Sequence, residues 1–231
     1  MKYMGNKNRI AKYILPIMLE YRTPEMAWVE PFVGGANMID KVEGKRIGND
    51  LNNYIISFWN AVQNGWTPPE FITKVEYKDI ITNKQNYNPE LVGWTITACT
   101  FGGTGHGFTG ILGKRNYQKE AHNNLAKQRI NITGIDFLCG EYYEINIPDY
   151  SLIYCDPPYE NGEHYRNFKT IDYNKFWQWC RDKANEGHKV FVSEYNAPSD
   201  FKCLWEMPLK SNVIKNGTSY SIEKLFTLMV L

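Results

Sequence analysis

Histidine is scarce in this chain. There are four, His106, His122, His164 and His188, with no HxxxH or HxH pair, so no metal site is expected. The five cysteines, Cys99, Cys139, Cys155, Cys180 and Cys203, are an odd number without a CxxC, and most sit among apolar neighbours. That excludes a disulfide framework and points to reduced thiols in a reducing compartment. Charge of one sign is also lacking. The net charge is +1 over 231 residues, so no global field draws the chain to nucleic acid, and any such site must be a local patch. No apolar run is long enough to span a bilayer, and Lys2, Lys7, Arg9 and Lys12 interrupt the stretch a signal peptide would need. A cytoplasmic protein without membrane contact is expected. Internal repeats and low-complexity runs are absent as well.

What the chain has is length for a real core and an excess of rings. Aromatic residues make up 15%, including 16 Tyr and 7 Trp, available for stacking as well as packing. Strands at 28–30, 45–48, 132–137, 151–155 and 188–193 alternate with helices at 53–62 and 173–186. Two antiparallel strands at the end, 203–207 and 221–231, should close the sheet. The pattern predicts an α/β fold. Residues 6–21 read as a helix that Pro16 should kink or split. Between Gly65 and residue 132 the character changes: two polar helical stretches (69–83 and 89–99), a glycine-rich loop at 101–110, and a basic helix at 117–130. Residues 1–64 and 133–231 therefore read as one domain, with 65–132 inserted in it.

The stretch that organises the chain is Ser151-Leu152-Ile153-Tyr154-Cys155-Asp156-Pro157-Pro158-Tyr159. A buried strand stops at a carboxylate, two prolines fix the backbone, and a ring closes the turn. Such an acid suits a flat group carrying an amine. Upstream, strand Trp28–Glu30 runs into Pro31-Phe32-Val33-Gly34-Gly35, a glycine turn expected to open a helix from about Ala36 and so to offer free N–H groups. Asp50 follows the second strand, where such folds bind ribose hydroxyls. A helix N-cap is the plainer role, and both are compatible. Asp136, followed by Phe137, is read as the end of the third strand. Strand carboxyl ends of an open α/β sheet line one crevice, so these acids should converge. Residues 160–171, polar and without periodicity, read as a loop over that crevice. In the insert, 114–129 carries five positive charges against one, either a phosphate-binding surface or a solvated helix.

In this order the motifs resemble the Dam-like, alpha-group (D12 class) adenine-specific N6 DNA methyltransferases, including phage-encoded members. Lys2-Tyr3-Met4-Gly5-Asn6-Lys7 resembles the family's N-terminal cofactor motif, and Val29-Glu30-Pro31-Phe32-Val33-Gly34-Gly35 its glycine motif. Asn49-Asp50 resembles the ribose acid, Asp136-Phe137 the adenine-contacting pair, Asp156-Pro157-Pro158-Tyr159 the catalytic motif, and Phe191-Val192-Ser193-Glu194-Tyr195 the strand walling the target pocket. The resemblance implies a Rossmann-like methyltransferase sheet, S-adenosylmethionine as cofactor, no metal, and a monomer acting on double-stranded DNA. It implies that Asp156 and the Pro157 carbonyl accept the adenine N6–H groups while Tyr159 stacks on the flipped base. Tyr3 and Lys7, with the Gly34-Gly35 turn, would hold the cofactor's methionine end, and Pro31, Phe32 and Asp156 would also contact the cofactor. Lys7, Arg9, Lys114, Arg115 and Lys119 would meet phosphates, and Phe108 or Tyr117 would fill the gap left by the base. Gly34-Gly35-Ala36-Asn37 lacks the further glycine or serine of many members, and the insert does not match the recognition hairpin of GATC-specific ones. Serine in place of Asp156 would have favoured cytosine N4. Other planar amines, or a catalytically silent binding module, are the rival readings.

Overall fold

A computed structural model describes residues 1–3, 5–100, 103, 105–112, 114–160, 171–211 and 219–229. Seven strands form one sheet. In chain order they are β1 (Trp28–Glu30), β2 (Arg46–Asp50), β5 (Ile135–Cys139), β6 (Leu152–Cys155), β7 (Lys189–Glu194), β8 (Phe201–Ser211) and β9 (Ser219–Leu228). A separate two-stranded ribbon, β3 (Ile111–Leu112) with β4 (Arg115–Asn116), lies between them in sequence. The sheet order is β5-β2-β1-β6-β7-β9-β8. The first five strands are parallel, while β9 is antiparallel to β7 and β8 to β9. The expected α/β architecture with an antiparallel closure is what forms.

The central strands are buried from end to end, β1 over three residues and β6 over four. This is the burial expected of parallel strands covered on both faces. Alternate residues feed two cores. Trp28, Leu152, Tyr154 and Phe191 enter one, with helices α1 (Ala11–Leu19), α2 (Asn53–Gln63), α4 (Pro89–Cys99) and α5 (Tyr117–Arg129). Val29, Ile153, Cys155, Val190 and Val192 enter the other, beneath α6 (Tyr173–Asn185). Helix α2 starts where the Asn52 side chain accepts the Tyr54 N–H, and buries Ile55, Ile56, Phe58, Trp59 and Val62 at helical spacing. Asp172 caps α6 in the same way, and Gly187 at φ +96° follows its end.

Four expectations are corrected. Helix α1 begins at Ala11, after a 3-10 turn at Lys7–Arg9, and Pro16 lies inside it without splitting it. Lys12 and Pro16 both face solvent, so water can satisfy the carbonyl that the proline leaves unbonded. No α-helix opens at Ala36. Gly34 and Ala36 take φ of +44° and +52°, which a right-handed helix start does not accommodate, and only a short 3-10 turn forms, at Ile39–Lys41. Strand β5 runs to Cys139, so Asp136 is its second residue and not its end.

The fourth correction concerns α4, read as polar but buried at every residue from 92 to 99. Its threonines cost little there. Thr95 donates to the Leu91 carbonyl at 2.7 Å and Thr97 to the Gly93 carbonyl at 3.0 Å. Helix α3 (Lys74–Thr82), which carries a Thr73/Glu76 capping box, adds Tyr77 and Ile80 to the same core. The segment 65–132 thus shares its apolar interior with the sheet. Gly93 faces the backbone of α2: a Cβ there would stand 2.1 Å from the Tyr54 carbonyl oxygen. Gly93→Ala is expected to lower unfolding free energy by about 2 kcal/mol or more through overpacking. Urea denaturation checks this, and an unchanged midpoint would show that the two helices can separate freely.

Candidate active site at the carboxyl edge of the sheet

Four acids stand at or directly after the carboxyl ends of four parallel strands: Glu30 on β1, Asp50 on β2, Asp156 after β6 and Glu194 on β7. Strand order reverses around β1 and β6, which makes this edge the crevice where open α/β sheets bind ligands.

Asp156 is met by the N-terminal arm. The Lys7 ammonium lies 2.9 Å from its Oδ1 and 3.8 Å from Glu223 on β9. It also donates to the Gly5 carbonyl at 2.9 Å and lies 4.7 Å from the centre of the Tyr159 ring. The arm is shaped for this: the Asn6 side chain caps the 3-10 turn and donates to the Met1 carbonyl, and Gly103 packs on the backbone of Lys2 and Tyr3. Burial lifts the Asp156 carboxyl to about 6 even with Lys7 beside it. Burial works against the Lys7 charge, but Asp156 and Glu223 outweigh it and hold the ammonium above the ordinary lysine range. About 20% of the Asp156 side chain is accessible against 7% of Lys7, so a ligand reaches the acid and not the base.

Tyr159 donates to Glu223 at 2.8 Å and meets the Tyr195 ring edge to face at 4.6 Å. The Pro158 carbonyl accepts from the Tyr173 hydroxyl. Glu194 accepts the backbone N–H groups of Tyr195 (2.7 Å) and Glu160 (3.2 Å), tying the turn after β6 to β7. Burial raises it to about 7. Burial also pushes Glu30 well above the carboxylate range, although its side chain accepts the Trp28 indole N–H.

The glycine turn is fixed from several sides. The Asp50 carboxylate accepts the Gly34 N–H at 2.9 Å and the Asn52 N–H at 2.9 Å. Trp59 donates to the Gly34 carbonyl at 2.9 Å, and Gln128 to the Gly35 and Ala36 carbonyls. Asn49 ties Pro31 to Gly140. The Tyr3 ring lies directly on the turn, where a Cβ on Gly34 would come within 2.7 Å of it.

Tyr3, Lys7, Pro31, Gly34, Gly35, Asp50 and the 156–159 turn are therefore assembled along one edge, with Phe32 packed just below on Tyr142 and Phe176. Asp136 is not among them. It is exposed, level with Ile47 in the sheet. Phe137 is buried against Trp59, ring centres 6.0 Å apart. Lys7 cannot also serve as a phosphate contact, because its ammonium is buried and paired, whereas Arg9 is exposed.

Lys114, Arg115 and Lys119 line a groove with Asn116, Glu120 and Asn123. Arg115 is committed to Glu120 through two bonds of 2.6 and 2.9 Å, and Lys2 reaches the same carboxylate. Tyr117 lies under both cations, and Phe108 packs on Tyr77. Residues 161–170, and with them nearly all of the expected loop over the crevice, lie outside the described residues, as do Phe101, Gly102 and Thr104. Among the described residues no cluster of His, Cys, Asp and Glu is arranged to hold a metal, and no helix is long and apolar enough to cross a membrane. Sequence reasoning missed Glu223, whose only signal was an acid in a strand otherwise read as closing the sheet. It also missed the roles of Trp59, Gln128 and Asn49 in fixing the turn, because their partners are distant in sequence.

A mostly parallel seven-stranded sheet with an antiparallel hairpin at one edge, a glycine turn after β1 and Asp-Pro-Pro-Tyr after β6 define a Rossmann-like methyltransferase. The family model of the D12 class N6 adenine-specific DNA methyltransferases matches residues 3–91 and 102–222, and the chain belongs to that family. It is thus an enzyme of the class that methylates adenine in DNA.

Glu194 offers a test of the site's electrostatics. Its folded-state value, about 7, lies above the ordinary 4.5, so folding takes up a proton. Its contribution to stability is present below pH 4.5 and is lost as pH rises through 7. Between pH 5 and 8 the wild type should lose about 2 kcal/mol relative to Glu194→Gln, measured by urea denaturation of both proteins at both pH values. Parallel pH dependences would exclude a buried ionisation at this position.

Proposed function

We propose that the protein transfers a methyl group from S-adenosylmethionine to the N6 amine of an adenine flipped out of a specific double-stranded DNA sequence, in the manner of the Dam-like enzymes. The observation that carries this reading is Asp156: a part-exposed carboxylate at the mouth of the sheet, on the edge that also bears the glycine turn and followed by the Tyr159 ring that meets Tyr195. The cofactor's chemistry fits the residues present. Each Asp50 oxygen holds one backbone N–H and keeps a further lone pair, which suits the vicinal hydroxyls of a ribose. Gly34 and Gly35 leave their side-chain space to Tyr3, so a ligand at the turn meets backbone beneath an aromatic ring. Asp136, exposed and level with the start of β2, has no part in this reading, and Phe137 enters it only through Trp59, on which it packs and which bonds the Gly34 carbonyl. When bound, S-adenosylmethionine supplies a methyl group already activated on a sulfonium.

The chain's task is then to position the amine and favour charge developing on it. Asp156 accepts one N6–H and the Pro157 carbonyl the other, drawing the nitrogen towards the tetrahedral, cationic form it has at attack. Its surplus proton is acidic only afterwards, so no histidine base is needed. Tyr195, half-buried, offers a surface for the extruded ring, and the buried Tyr159 takes it only as Lys7 and Tyr195 shift from its ring; removal of the base from the duplex costs a few kcal/mol. Residues 65–132 act as the target-recognition insert, with Arg9, Lys114 and Lys119 meeting phosphates and Arg115 released to DNA on exchange of Glu120. Tyr117 and Phe108 are the rings available to fill the gap, and the enzyme works as a monomer.

Asp156→Ala should abolish methyl transfer while S-adenosylmethionine binding partly survives, assayed by mass analysis of nucleosides from treated duplex DNA and by calorimetry. N4-methylcytosine as the product would overturn the choice of adenine. Because Asp156 must be ionised to accept N6–H and in the free enzyme titrates near 6, kcat/KM for duplex DNA should fall about tenfold per pH unit below pH 6. Replacing Lys114 and Lys119 together by alanine should weaken DNA binding and reduce the slope of log K against log salt by about one per lysine. An unchanged slope would remove this groove from the DNA path.

A further inference from the structure

We propose that Glu223 is a positioning residue of the methyl transfer: it receives Lys7 from Asp156 when the target amine arrives, and it orients Tyr159 through the phenol. The proposal rests on the reading of Asp156 as the amine acceptor. In the amine-free site the Lys7 ammonium sits 2.9 Å from Oδ1 of that acid and neutralises much of the charge that an incoming N–H donor would meet. As the amine takes up the methyl it becomes cationic, so Lys7 left in place would repel it. Lys7 is 7% exposed and has no water into which to withdraw, and a buried ammonium left without an anion is heavily penalised.

Glu223 resolves the conflict. It is buried on β9, 3.8 Å from the same ammonium, and a shift of about 1 Å would bring that distance to hydrogen-bond length. Lys7 keeps its bond to the Gly5 carbonyl as a pivot. Glu223 already accepts the Tyr159 hydroxyl at 2.8 Å, so one carboxylate governs both the lysine and the ring that flank the acceptor. Its position is set by the sheet: β9 pairs Lys224 with Glu194 of β7, which brings the neighbouring Glu223 to the same edge as Asp156.

The test uses Glu223→Gln, close in shape and still an acceptor for the phenol, and Glu223→Asp, which keeps the charge. The groups that bear on Asp156 are Lys7, Tyr159, Tyr154, Cys155, Glu30, Glu194 and Glu223 itself. Of these the substitution removes one negative charge. In 13C NMR of aspartate-labelled protein without DNA or cofactor, with Asp156→Asn assigning the signal, Glu223→Gln should lower the Asp156 midpoint by about half a unit or more. Glu223→Asp should leave it near the wild-type value. In steady-state assays on duplex DNA, Glu223→Gln should lower kcat about tenfold, hold KM for S-adenosylmethionine within about twofold, and move the acid limb to lower pH.

An unchanged midpoint and acid limb would mean that the Glu223 charge does not act on Asp156, and that result overturns the proposal. So does a kcat for Glu223→Gln within about twofold of wild type. Failure of the underlying reading looks different. Wild-type enzyme would then leave adenine unmodified while the NMR midpoint still responded to Glu223, and the role in methyl transfer would fall although the three-residue coupling stood.

Discussion

A lysine ammonium buried 2.9 Å from a carboxylate at the mouth of the sheet is the constraint on which the rest depends. Neither charge is stable there alone. Removing one partner of such a pair leaves an uncompensated charge, at a cost of about 3–5 kcal/mol. The chain must therefore bring its first seven residues against a turn some 150 positions later and hold both in register. It does so with the 3-10 turn at Lys7–Arg9, the packing of Tyr3 on Gly34, and the rigid Pro157-Pro158 step. Burial raises the Asp156 carboxyl to about 6, which leaves it ionised at neutral pH but only just. An acceptor so poised responds strongly to charge arriving beside it, which suits the stabilisation of a nascent cation.

Sheet order explains why the other acids are present. Each parallel strand points its carboxyl end at the same edge, and the reversal of order around β1 and β6 leaves room between the flanking loops. Asp50 is used locally, bridging Gly34 and Asn52, and thereby couples the glycine turn to the start of α2. Glu194 ties the Asp-Pro-Pro-Tyr turn to β7, and Glu223 reaches the edge from the antiparallel hairpin. The hairpin is therefore part of the site's construction as well as the sheet's closure.

Residues 65–132 are bound into this arrangement through α4. Threonine hydroxyls satisfied by their own helix, and a glycine against the backbone of α2, let a sequence of middling polarity occupy the centre of a core. Helices α3 and α5 pack around it, so the groove bearing Lys114 and Lys119 stands on the same interior as the sheet. Gln128 links that interior to the glycine turn by holding the Gly35 and Ala36 carbonyls from α5.

Much of this was legible in the amino-acid order. Strands β1, β6 and β7 are apolar runs ending in an acid or at a proline, and α2 and α6 carry both cap and stripe, so local chemistry alone determined them. Asp156, Asp50 and the glycine turn were legible for the same reason: each is a break in a periodic segment. What only the tertiary structure decided lay wherever a local signal was outvoted by a distant partner. The depth of α4 depends on the complementary surface of α2, and the missing helix at Ala36 on a positive φ that Gln128, Trp59 and Asp50 hold in place around it. Asp136 looked like a strand end because nothing within the segment marks the three further residues that pair with β2. Glu223 had no local mark beyond being an acid in a strand that closes the sheet. Its importance comes from Lys7 and Tyr159, residues 216 and 64 positions away, which meet it only once the sheet has closed.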